Sequence, residues 1–380
     1  MNSFVIGRNI LQKEGYAAFV PHPFPPEKEI KMTRQLIKDH TEAVRLLGKL
    51  DGVTEHLPDR DLFLVMFVRK DASSSSQIEG TNATIMDVIE KQNIEPRPTL
   101  PDDTEDILHY IAALDYGIKR SAEFPLSLRF IRELHEILMA GARSTHLPYP
   151  GEFRKSQNWI GGTRPDNARF VPPPVFEMNR ALDDMEKFIH ADDNYLALIK
   201  AGLLHAQFET IHPFVDGNGR TGRMLITMFL WSEKLVNMPV LYLSSFFKKH
   251  QQLYYERLDG YHNGQVLEWL EFFLDGITDT AVSAINTCKN ITMLRDRDMK
   301  KIYSLGKTSA KSTMTILTNL YKMPVVGIAD IVKWTGFSPR GGYKAIERLV
   351  EMQILKPMKT GDSIYGQKWI YEDYIILFTE

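Results

Sequence analysis

Apolar residues recur at steps of three and four positions along most of the chain before residue 306. This spacing places apolar side chains on one face of a helix, so each such stretch predicts an amphipathic helix. The clearest stretches are residues 29–50, 105–124, 126–142, 194–212 and 266–305. Together they predict a helical bundle, and the last stretch predicts one or two long helices that end it.

The pattern changes between residues 148 and 174, where Gly, Pro and Asn interrupt the helical spacing. Short β-prone pieces lie on either side of the sequence GGTRPDNA. Turn-forming residues between two β-prone pieces are typical of a hairpin. We therefore predict a β-hairpin within an otherwise helical domain.

A second change follows residue 306. The third of three shorter helical stretches begins with Ser338 as N-cap and Pro339 in its first turn, and a two-stranded wing is predicted through residues 368–374. This order is typical of a winged helix-turn-helix. The predicted fold class is mainly α, a helical bundle with a hairpin and a C-terminal winged helix-turn-helix domain. The predicted domains are an N-terminal helical region 1–100, a core 101–306 and the winged domain 307–380.

The third helix of the predicted winged domain carries charges of both signs. Arg340, Lys344 and Arg348 alternate with Glu347 and Glu351. A DNA-reading helix is usually more basic than this. The pattern therefore favours a protein-docking or dimer surface, with DNA binding as the alternative.

The composition is that of an ordinary globular protein, with 43% hydrophobic and 25% charged residues. The balance of 46 Lys and Arg against 48 Asp and Glu gives a net charge of −2, so no overall field attracts the chain to nucleic acid or to a membrane. Cys288 is the single cysteine, which excludes an intrachain disulfide and fits a reducing compartment. No signal peptide or membrane span is predicted, and we expect a cytoplasmic location.

The sequence HPFVDGNGRTGR, residues 212–223, contains the candidate chemistry. Pro213 ends one helix, and a new helix is predicted to begin within the loop. Its first turn carries Arg220 and Arg223, three residues apart. Two cations oppose the positive end of a helix dipole unless an anion binds there. Backbone N–H groups of a Gly-rich loop at a helix start form such an anion site, and the residues concerned are Gly217, Asn218 and Gly219.

Two further side chains fit phosphate chemistry. Asp216 would repel a phosphate unless a divalent cation lies between them, and Mg²⁺ is the expected ion. His212 precedes the loop and has an ordinary pKa near that required of a base at neutral pH. A base, a metal ligand, an anion site and two guanidinium groups are the parts that phosphoryl or nucleotidyl transfer needs.

Structural alternatives exist for the same residues. A Gly-rich turn before a helix is often only a turn, and Phe214 is expected to anchor the loop in the core. His205, Glu209 and His212 lie at positions i, i+4 and i+7, which could imitate a metal site. The spacing differs from the HExxH pattern, so we favour His205 as a core histidine whose ring nitrogens are hydrogen-bonded.

The motif HPFVDGNGRTGR resembles the signature HxFx[D/E]GNGRxxR of the Fic family (filamentation induced by cAMP) at every fixed position. The resemblance covers roughly residues 20–280 and includes PFPP near the N-terminus and GEFRKSQNWIGG with ARFVPPP in the predicted hairpin. It implies a Fic-type bundle that transfers AMP from ATP to a Tyr, Ser or Thr hydroxyl of a target protein, with pyrophosphate release. A kinase-like relative has Lys at the position of Gly219, so Gly219 favours AMP transfer.

The resemblance also implies roles for the loop residues. His212 would be the general base, Asp216 the Mg²⁺ ligand, and Phe214 a buried anchor. The nucleotide phosphates would be bound by Gly217, Asn218, Gly219, Arg220 and Arg223, with Asn218 contributing its side chain as well. ATP is the implied substrate and Mg²⁺ the implied cofactor.

The predicted hairpin resembles the flap of Fic proteins. Such a hairpin can pair with an extended segment of a target protein through main-chain hydrogen bonds. The candidate docking residues at its tip are Gly161, Gly162, Thr163 and Arg164. A hairpin that only covers the core is the alternative.

The sequence SSSSQIEG contains a second Fic pattern, [S/T]xxxE[G/N], formed by Ser75, Glu79 and Gly80. In Fic proteins it marks an inhibitory helix, so Glu79 is expected to pair with Arg223 and to occupy the position of the γ-phosphate. An ordinary solvated glutamate is the alternative. In some relatives this glutamate helps to remove AMP from a modified protein, which leaves the direction of the reaction open.

Two functions from different classes are compatible with these motifs. The first is an autoinhibited AMP transferase that acts on a hydroxyl-bearing target protein and on its own tyrosines, with de-AMPylation as a variant. The second is a DNA-binding regulator in which the Fic region senses a nucleotide. A homodimer is a further expected partner arrangement, and no membrane partner is expected.

Overall fold

The computed structural model describes residues 4–26, 30–55, 57, 60–92, 103–140, 149–237, 240–358 and 367–379. Within these ranges the chain is mainly helical, which confirms the predicted class. The helices are α1 Arg34–Glu55, α2 Arg60–Ile78, α3 Ile85–Gln92, α4 Asp103–Arg120, α5 Leu128–Leu138, α6 Val175–His190, α7 Ala197–Ile211, α8 Asn218–Ser232, α9 Ser244–Lys249, α10 Gln251–His262, α11 Val266–Tyr303, α12 Lys307–Leu320, α13 Ile328–Thr335, α14 Pro339–Glu351 and α15 Glu372–Thr379. The strands are β1 Gly7–Leu11, β2 Ala17–Pro21, β3 Val325–Gly327, β4 Lys356–Pro357 and β5 Lys368–Ile370.

Helices α7 and α8 pack against each other at the centre of the bundle. They are joined by residues 212–217, which we call the junction loop. Helix α7 is buried on all sides from Leu198 to Ile211, because apolar residues surround most of its circumference. Helix α8 is buried over most of its length as well. The junction loop is therefore attached at both ends to buried helices of the bundle.

Helix α11 is one continuous helix of 38 residues, so the long apolar pattern corresponds to one helix and not two. It packs against α1, α7, α9 and α10 and also against α12 and α15. Its buried residues extend from Val266 to Ile302. One apolar face thus contacts both the bundle and the region that follows it.

Strands β1 and β2 form an antiparallel hairpin that the sequence pattern did not predict. Four successive residues of β2 are buried, so the alternation that identifies a half-exposed strand is missing from its sequence. Phe19 connects this hairpin to the bundle, since its N–H donates to the carbonyl of Val171 at 2.9 Å. Its ring centre lies 5.2 Å from that of His262.

The region after residue 306 begins with α12, whose N-cap is Gly306. Helices α12, α13 and α14 are followed by β4 and β5, and β5 lies between β3 and β4 in a three-stranded antiparallel sheet. Ser338 caps α14 through its side chain, and Pro339 lies in the first turn. Strand β5 covers only the first part of the predicted wing, because residues 372–379 form α15, which was not predicted.

The apolar core continues across residue 306. Phe67 of α2 and Phe378 of α15 lie edge to face with ring centres 5.3 Å apart. Arg69 of α2 donates to the carbonyl of Lys322 at 3.0 Å. The C-terminal region therefore packs directly on α2, and its independent folding as a winged helix-turn-helix stays a prediction.

Three further expectations concern the chain as a whole. The predicted boundary between residues 100 and 101 lies outside the described residues. Among the helices of the described ranges, none has both the length and the apolar composition that crossing a membrane requires. Cys288 is a buried free thiol, and burial raises its pKa to about 12.

Candidate active site

The junction loop begins and ends with residues in the left-handed backbone region. His212 caps α7 with φ 48° and ψ 61°, and Pro213 follows it, so the helix cannot continue. Gly217 is the N-cap of α8 with φ 75°. A Cβ at Gly217 would also lie 2.8 Å from the sulfur of Met139. Gly217 is thus required both for the backbone turn and for the close approach of α5.

The side chain of His212 faces a cavity of about 330 Å³. Burial lowers the pKa of the imidazole to about 4, against the opposing influence of the Glu79 carboxylate. The ring is therefore neutral at pH 7, and one ring nitrogen is free to accept a proton. Its Nδ1 atom has no hydrogen-bond partner among the described residues. It lies 3.7 Å from the Glu209 carboxylate.

The carbonyl groups of the junction loop are held by two side chains that the sequence motifs did not identify. Arg154 Nε donates to the carbonyl of His212 at 3.0 Å. Asn158 Nδ2 donates to the same carbonyl at 3.1 Å and to that of Phe214 at 3.0 Å. Arg154 is almost fully buried, and burial lowers its pKa to about 10. These residues fix the backbone on both sides of Pro213.

His135 supports the loop from α5 and was also missed. Its Nδ1 accepts from the N–H of Gly151 at 2.9 Å, so the proton of the neutral ring is on Nε2. That nitrogen lies 3.0 Å from the carbonyl of Asp216 and donates to it. The ring is stacked on Phe214 with centres 3.6 Å apart. Burial lowers the His135 pKa to about 4, which keeps this tautomer at neutral pH.

Asn218 closes the loop with its side chain. Its Oδ1 accepts from the N–H of Phe214 at 2.8 Å, and its Nδ2 donates to the carbonyl of the same residue at 2.8 Å. Oδ1 and one of the two Nδ2 hydrogens are engaged in this way, so the side-chain contribution to phosphate binding that the resemblance implies stays a prediction. The backbone N–H of Asn218 at the start of α8 is a second group that an anion could use.

Arg223 lies beside the start of α8 and is paired with α2. Its Nη2 donates to the Glu79 carboxylate at 2.7 Å and to the carbonyl of Ser75 at 3.0 Å. Its Nε donates to the Ser75 hydroxyl at 2.8 Å. Burial alone would lower the pKa of Arg223, but the Glu79 carboxylate raises it above its ordinary value. We call Arg223, Ser75 and Glu79 the Arg223 cluster.

Glu79 reaches the Arg223 cluster because α2 ends immediately before it. Gly80 follows with φ 94°, a backbone region that glycine adopts without strain. The Glu79 carboxylate lies so close to Gly219 that a Cβ at that position would collide with it. The absence of a side chain at Gly219 therefore lets the carboxylate rest directly on the N-terminus of α8.

Arg220 points away from the cavity, unlike Arg223. Its Nη2 lies 3.6 Å from the sulfur of Met139, and its Nη1 lies 4.0 Å from a carboxylate oxygen of Asp106. It is not among the residues that line the cavity. Their spacing of three residues predicted that both arginine side chains lie on one face of α8. The side chain of Arg220 instead extends along α4 and the end of α5. The two guanidinium groups are therefore not brought together in this structure.

Asp216 is the exposed carboxylate of the junction loop and lines the cavity. One of its oxygens accepts from the N–H of Gly217 at 2.6 Å. The described residues contain no group of three or more acidic, His or Cys side chains that could hold a metal ion. A single carboxylate still fits Mg²⁺, which is commonly bound through one or two carboxylates together with substrate phosphates.

The alternative metal site on α7 is not formed. His205 is fully buried, with its ring nitrogens 3.0 Å from the carbonyl of Gly222 and 2.8 Å from the Tyr254 hydroxyl. It is the hydrogen-bonded core histidine that the sequence favoured. Glu209 is buried near Arg223, and burial raises its pKa to about 7. Its protonated form is therefore well populated at neutral pH.

The predicted hairpin lies at the rim of the cavity. A single antiparallel bridge between Ile160 and Phe170 closes it, and one 3₁₀ turn, Pro165–Asn167, replaces extended strands at its tip. Gly161 and Phe170 line the cavity. The remaining predicted docking residues, Gly162, Thr163 and Arg164, are exposed at the tip and do not line the cavity. Asn167 fixes this tip, since its side-chain oxygen accepts from the N–H groups of Thr163 and Arg164.

Comparison with known families gives two matches. The Fic/DOC family matches residues 125–230, which include the junction loop. The Fic/DOC family N-terminal region matches residues 37–119, which include Ser75 and Glu79. Both matches agree with the resemblance in the loop motif.

Two curated relatives carry the name protein adenylyltransferase, one of them as a probable one. A probable protein adenylyltransferase from Aquifex aeolicus is 29% identical over 181 residues, covering 46% of this chain and 52% of the relative. The protein adenylyltransferase Fic from Aedes aegypti is 27% identical over 179 residues, covering 46% of this chain and 32% of the relative. The chain thus spans about half of the first relative and about a third of the second.

Solved structures share the fold. A Fic family protein from Desulfovibrio desulfuricans has a TM-score of 0.58 at 18% identity, with 92% of this chain and 98% of that chain covered. Fic-1 from C. elegans has a TM-score of 0.51 at 17% identity, with 67% and 73% covered. The family matches, the relatives and the shared fold together support a Fic protein.

Proposed function

We propose that this chain transfers AMP from ATP to a Tyr, Ser or Thr hydroxyl of a target protein and is autoinhibited by Glu79. The observation that carries the proposal is one cavity with His212 on one side, the N-terminus of α8 on another, and Arg223 occupied by the Glu79 carboxylate. A carboxylate that lies against both a helix N-terminus and a guanidinium group marks a position where an anion binds. The relatives named protein adenylyltransferase support the same reaction class.

His212 is the base in this proposal. The target hydroxyl oxygen forms a bond with the α-phosphorus of ATP, and the bond from that phosphorus to the oxygen of the β-phosphate breaks. The hydroxyl proton moves to the imidazole, and pyrophosphate leaves. The lowered pKa of His212 keeps the imidazole neutral and able to accept this proton.

The phosphates are bound at the start of α8. Backbone N–H groups of the first turn, from Asn218 and Gly219, have no partner inside the helix and are directed at the anion. Arg223 supplies positive charge once Glu79 leaves it. Asp216 would hold Mg²⁺ against the phosphates, and that ion would neutralise negative charge that develops on the leaving pyrophosphate. Arg220 joins the phosphate site only if its side chain turns away from α5.

Glu79 inhibits by occupying the place of a terminal phosphate. Its carboxylate makes a charge-assisted hydrogen bond with Arg223, and it lies over Gly219. ATP with all three phosphates cannot share this position. The carboxyl group of Glu79 is about two-fifths exposed (39%), so the contact is reversible without unfolding of the bundle.

The hairpin presents the target to His212. Gly161 lies at the rim of the cavity, and residues 161–164 are exposed. Main-chain groups at such an exposed edge can pair with an extended segment of a partner, which places a hydroxyl at the cavity without strict sequence requirements. Tyrosines of the chain itself are the further substrates in this proposal.

The test of the proposed reaction is incubation with Mg²⁺ and ATP labelled at either the α- or the γ-phosphate. Label retained on protein only from the α position supports AMP transfer. Label retained from the γ position indicates a kinase and contradicts the proposal. The Glu79→Gly variant is the sensitive form for this assay, and His212→Ala is its matched control.

Removal of AMP from a modified target is the second candidate. Glu79 lines the same cavity as His212 and Asp216, and its partly exposed carboxylate could orient a water molecule. A Glu79→Gly variant that gains transfer but loses the ability to strip AMP from a labelled target would assign both roles to this residue.

The C-terminal region is proposed as a winged helix-turn-helix used for protein docking or dimer formation in the cytoplasm. The exposed face of α14 mixes Arg340, Tyr343, Lys344 and Glu347, which is less basic than a DNA-reading helix. Binding to DNA fragments that weakens steeply with added salt would instead support the regulator.

A further inference from the structure

Helix α2 presents its second side to another cavity. Lys70, Ser73, Ser74 and Gln77 line this cavity of about 690 Å³. They are spaced at i, i+3, i+4 and i+7, so they share one face of the helix. Ser75 lies on the opposite face, because each residue turns the helix by about 100°. The helix thus separates the Arg223 cluster from the second cavity.

The second cavity has positive charge at its surface. Lys248 and Lys249 of α9 line it together with Lys70. Lys248 donates to Gln77 at 2.5 Å, while Lys70 and Lys249 have no ion-pair partner among the described residues. Of the two acidic residues in the lining, Asp71 is buried and accepts from the Tyr110 hydroxyl, and Asp279 is exposed on α11.

Two buried hydroxyl groups in the lining lack a partner within the described part of the chain. Ser73 and Tyr242 are each 5% exposed, and neither hydroxyl oxygen has a hydrogen-bond partner among the described residues. Buried polar groups are normally hydrogen-bonded, so an unpaired pair in one cavity calls for a ligand or ordered water. The aromatic rings of Phe67, Phe246 and Phe378 form apolar walls beside these groups.

We propose that this second cavity binds a small phosphomonoester with an apolar organic group. A phosphate monoester carries close to two negative charges and three acceptor oxygens, which match the lysine ammonium groups and the two unpaired hydroxyls. Its organic part fits against the phenylalanine rings. The volume lies within the range of small-molecule sites.

The proposed site is connected to the Arg223 cluster through α2. A ligand that contacts α2, α9 and α11 together holds α2 where Glu79 meets Arg223. This step rests on the proposed autoinhibition: a ligand that holds α2 in this position lowers AMP transfer. By linkage, ATP in turn lowers the affinity of the second cavity for the ligand. The packing of Phe378 places the C-terminal region in the same contact network.

Binding is tested with pyridoxal 5′-phosphate, which has a phosphate, a ring and an aldehyde. The aldehyde condenses with a lysine amine, water leaves, and borohydride delivers a hydride to the imine carbon, so that the adduct can be located by peptide mass spectrometry. No lysine lines the His212 cavity in the described chain, so lysine labelling is independent of the nucleotide site. The probe without phosphate, pyridoxal, is the control.

We expect Lys70 or Lys249 to be labelled at a probe concentration at least about tenfold below that needed for the exposed Lys289 on α11. Phenyl phosphate should suppress this labelling, and Tyr242→Phe should weaken it about tenfold by removing one donor. His212→Ala should be labelled to the same extent as the parent. This result does not depend on whether the chain transfers AMP. Equal labelling of Lys289, or a Tyr242→Phe variant that behaves as the parent, overturns the proposed site.

The regulatory consequence has a separate test. Phenyl phosphate should reduce AMP transfer by the parent and leave transfer by Glu79→Gly unchanged. An equal reduction in both proteins means that the phosphate competes with ATP at α8, which overturns the connection through α2.

Discussion

The junction loop and the Arg223 cluster meet at the same cavity but are held in different ways. The loop is fixed by many hydrogen bonds to its backbone, from Arg154, Asn158, His135 and Asn218. The cluster depends on one guanidinium, whose partners are Ser75 and Glu79. A loop held by several buried bonds keeps its geometry, whereas a contact with one partly exposed carboxylate can be exchanged for a ligand. In the proposed function, this difference separates a permanent catalytic geometry from a removable inhibitor.

The largest effect is expected from a change in the junction loop. His212→Ala should reduce AMP transfer by about 10²- to 10⁴-fold, because the general base is lost. ATP affinity should stay close to that of the parent, since the base contacts the target hydroxyl and not the phosphates. Transfer of label from ATP to protein measures the loss of activity, and calorimetry measures the ATP affinity. Transfer at the parent rate would remove His212 from the mechanism.

The next largest effect is expected from a change in the Arg223 cluster, and here the rate of AMP transfer should rise instead of fall. Glu79→Gly should raise transfer by about ten- to a hundredfold, because a charge-assisted hydrogen bond contributes about 1.5 to 3 kcal/mol to the state in which Glu79 is paired with Arg223. Self-modification, detected by intact-mass spectrometry, is the convenient measurement.

The double variant Glu79→Gly with Arg223→Ala is the control for that activation. It should remain weak, since Arg223 is the proposed phosphate ligand as well as the partner of Glu79. Equal activity of Glu79→Gly and the parent would contradict inhibition by Glu79 and would mean that residues 73–80 have only a structural role at the end of α2.

A smaller loss is expected from loosening the loop without touching its catalytic side chain. Asn158→Ala removes hydrogen bonds to the carbonyls of His212 and Phe214. We expect transfer to fall about tenfold with little change in ATP affinity, and the free energy of unfolding to fall by about 1 to 2 kcal/mol. Gln157→Ala is the neighbouring control, because Gln157 binds the carbonyls of Asn158 and Pro172 and not the loop. Similar losses in both variants would mean that the effect comes from the hairpin.

Adjacent serines on α2 give a matched pair with a smaller effect. Ser75→Ala removes the hydroxyl that accepts from Arg223 and should raise transfer about two- to tenfold. Ser76→Ala removes a buried hydroxyl that has no partner in the described structure and should leave transfer unchanged. The ratio of the two rates is the measurement, and a ratio of one would show that the Ser75 hydroxyl does not hold the cluster.

The smallest effect is expected when pH is lowered. A histidine of ordinary pKa, 6.5, loses most of its base form by pH 5.5, and kcat/KM would fall about tenfold. Since burial lowers the pKa of His212 to about 4, its base form persists, and kcat/KM of Glu79→Gly should change less than about twofold between pH 7.5 and 5.5. A fall that follows a pKa near 6.5 would show that the imidazole is more solvated than its position suggests.

Local spacing predicted the junction loop because its features lie within twelve consecutive residues. Pro213 ends α7 and Gly217 begins α8 wherever the bundle places them. Arg154, Asn158 and His135 were missed because the partners they hold are 54 to 81 positions away in the chain. Nothing near them in sequence indicates a carbonyl group from α7 or from the loop.

Arg220 shows a different limit of sequence spacing. Helical spacing gives the direction of a Cβ atom, but a long side chain follows the surface that surrounds it. Asp106 lies in α4 and Met139 follows the end of α5, and both helices pack against α8, so the direction of Arg220 depends on tertiary packing. The pairing of Glu79 with Arg223, in contrast, came from a family pattern in which both positions are already connected.

The contact between Phe67 and Phe378 has a consequence for the order of synthesis. Helix α2 is synthesised well before α15, which packs against one side of it. A nascent chain that has folded its bundle around α7 and α8 already has His212 in place, while α2 still lacks its C-terminal packing. In the proposed autoinhibition Glu79 follows the end of α2, so the helix that positions it gains its packing against α15 only once α15 has been synthesised.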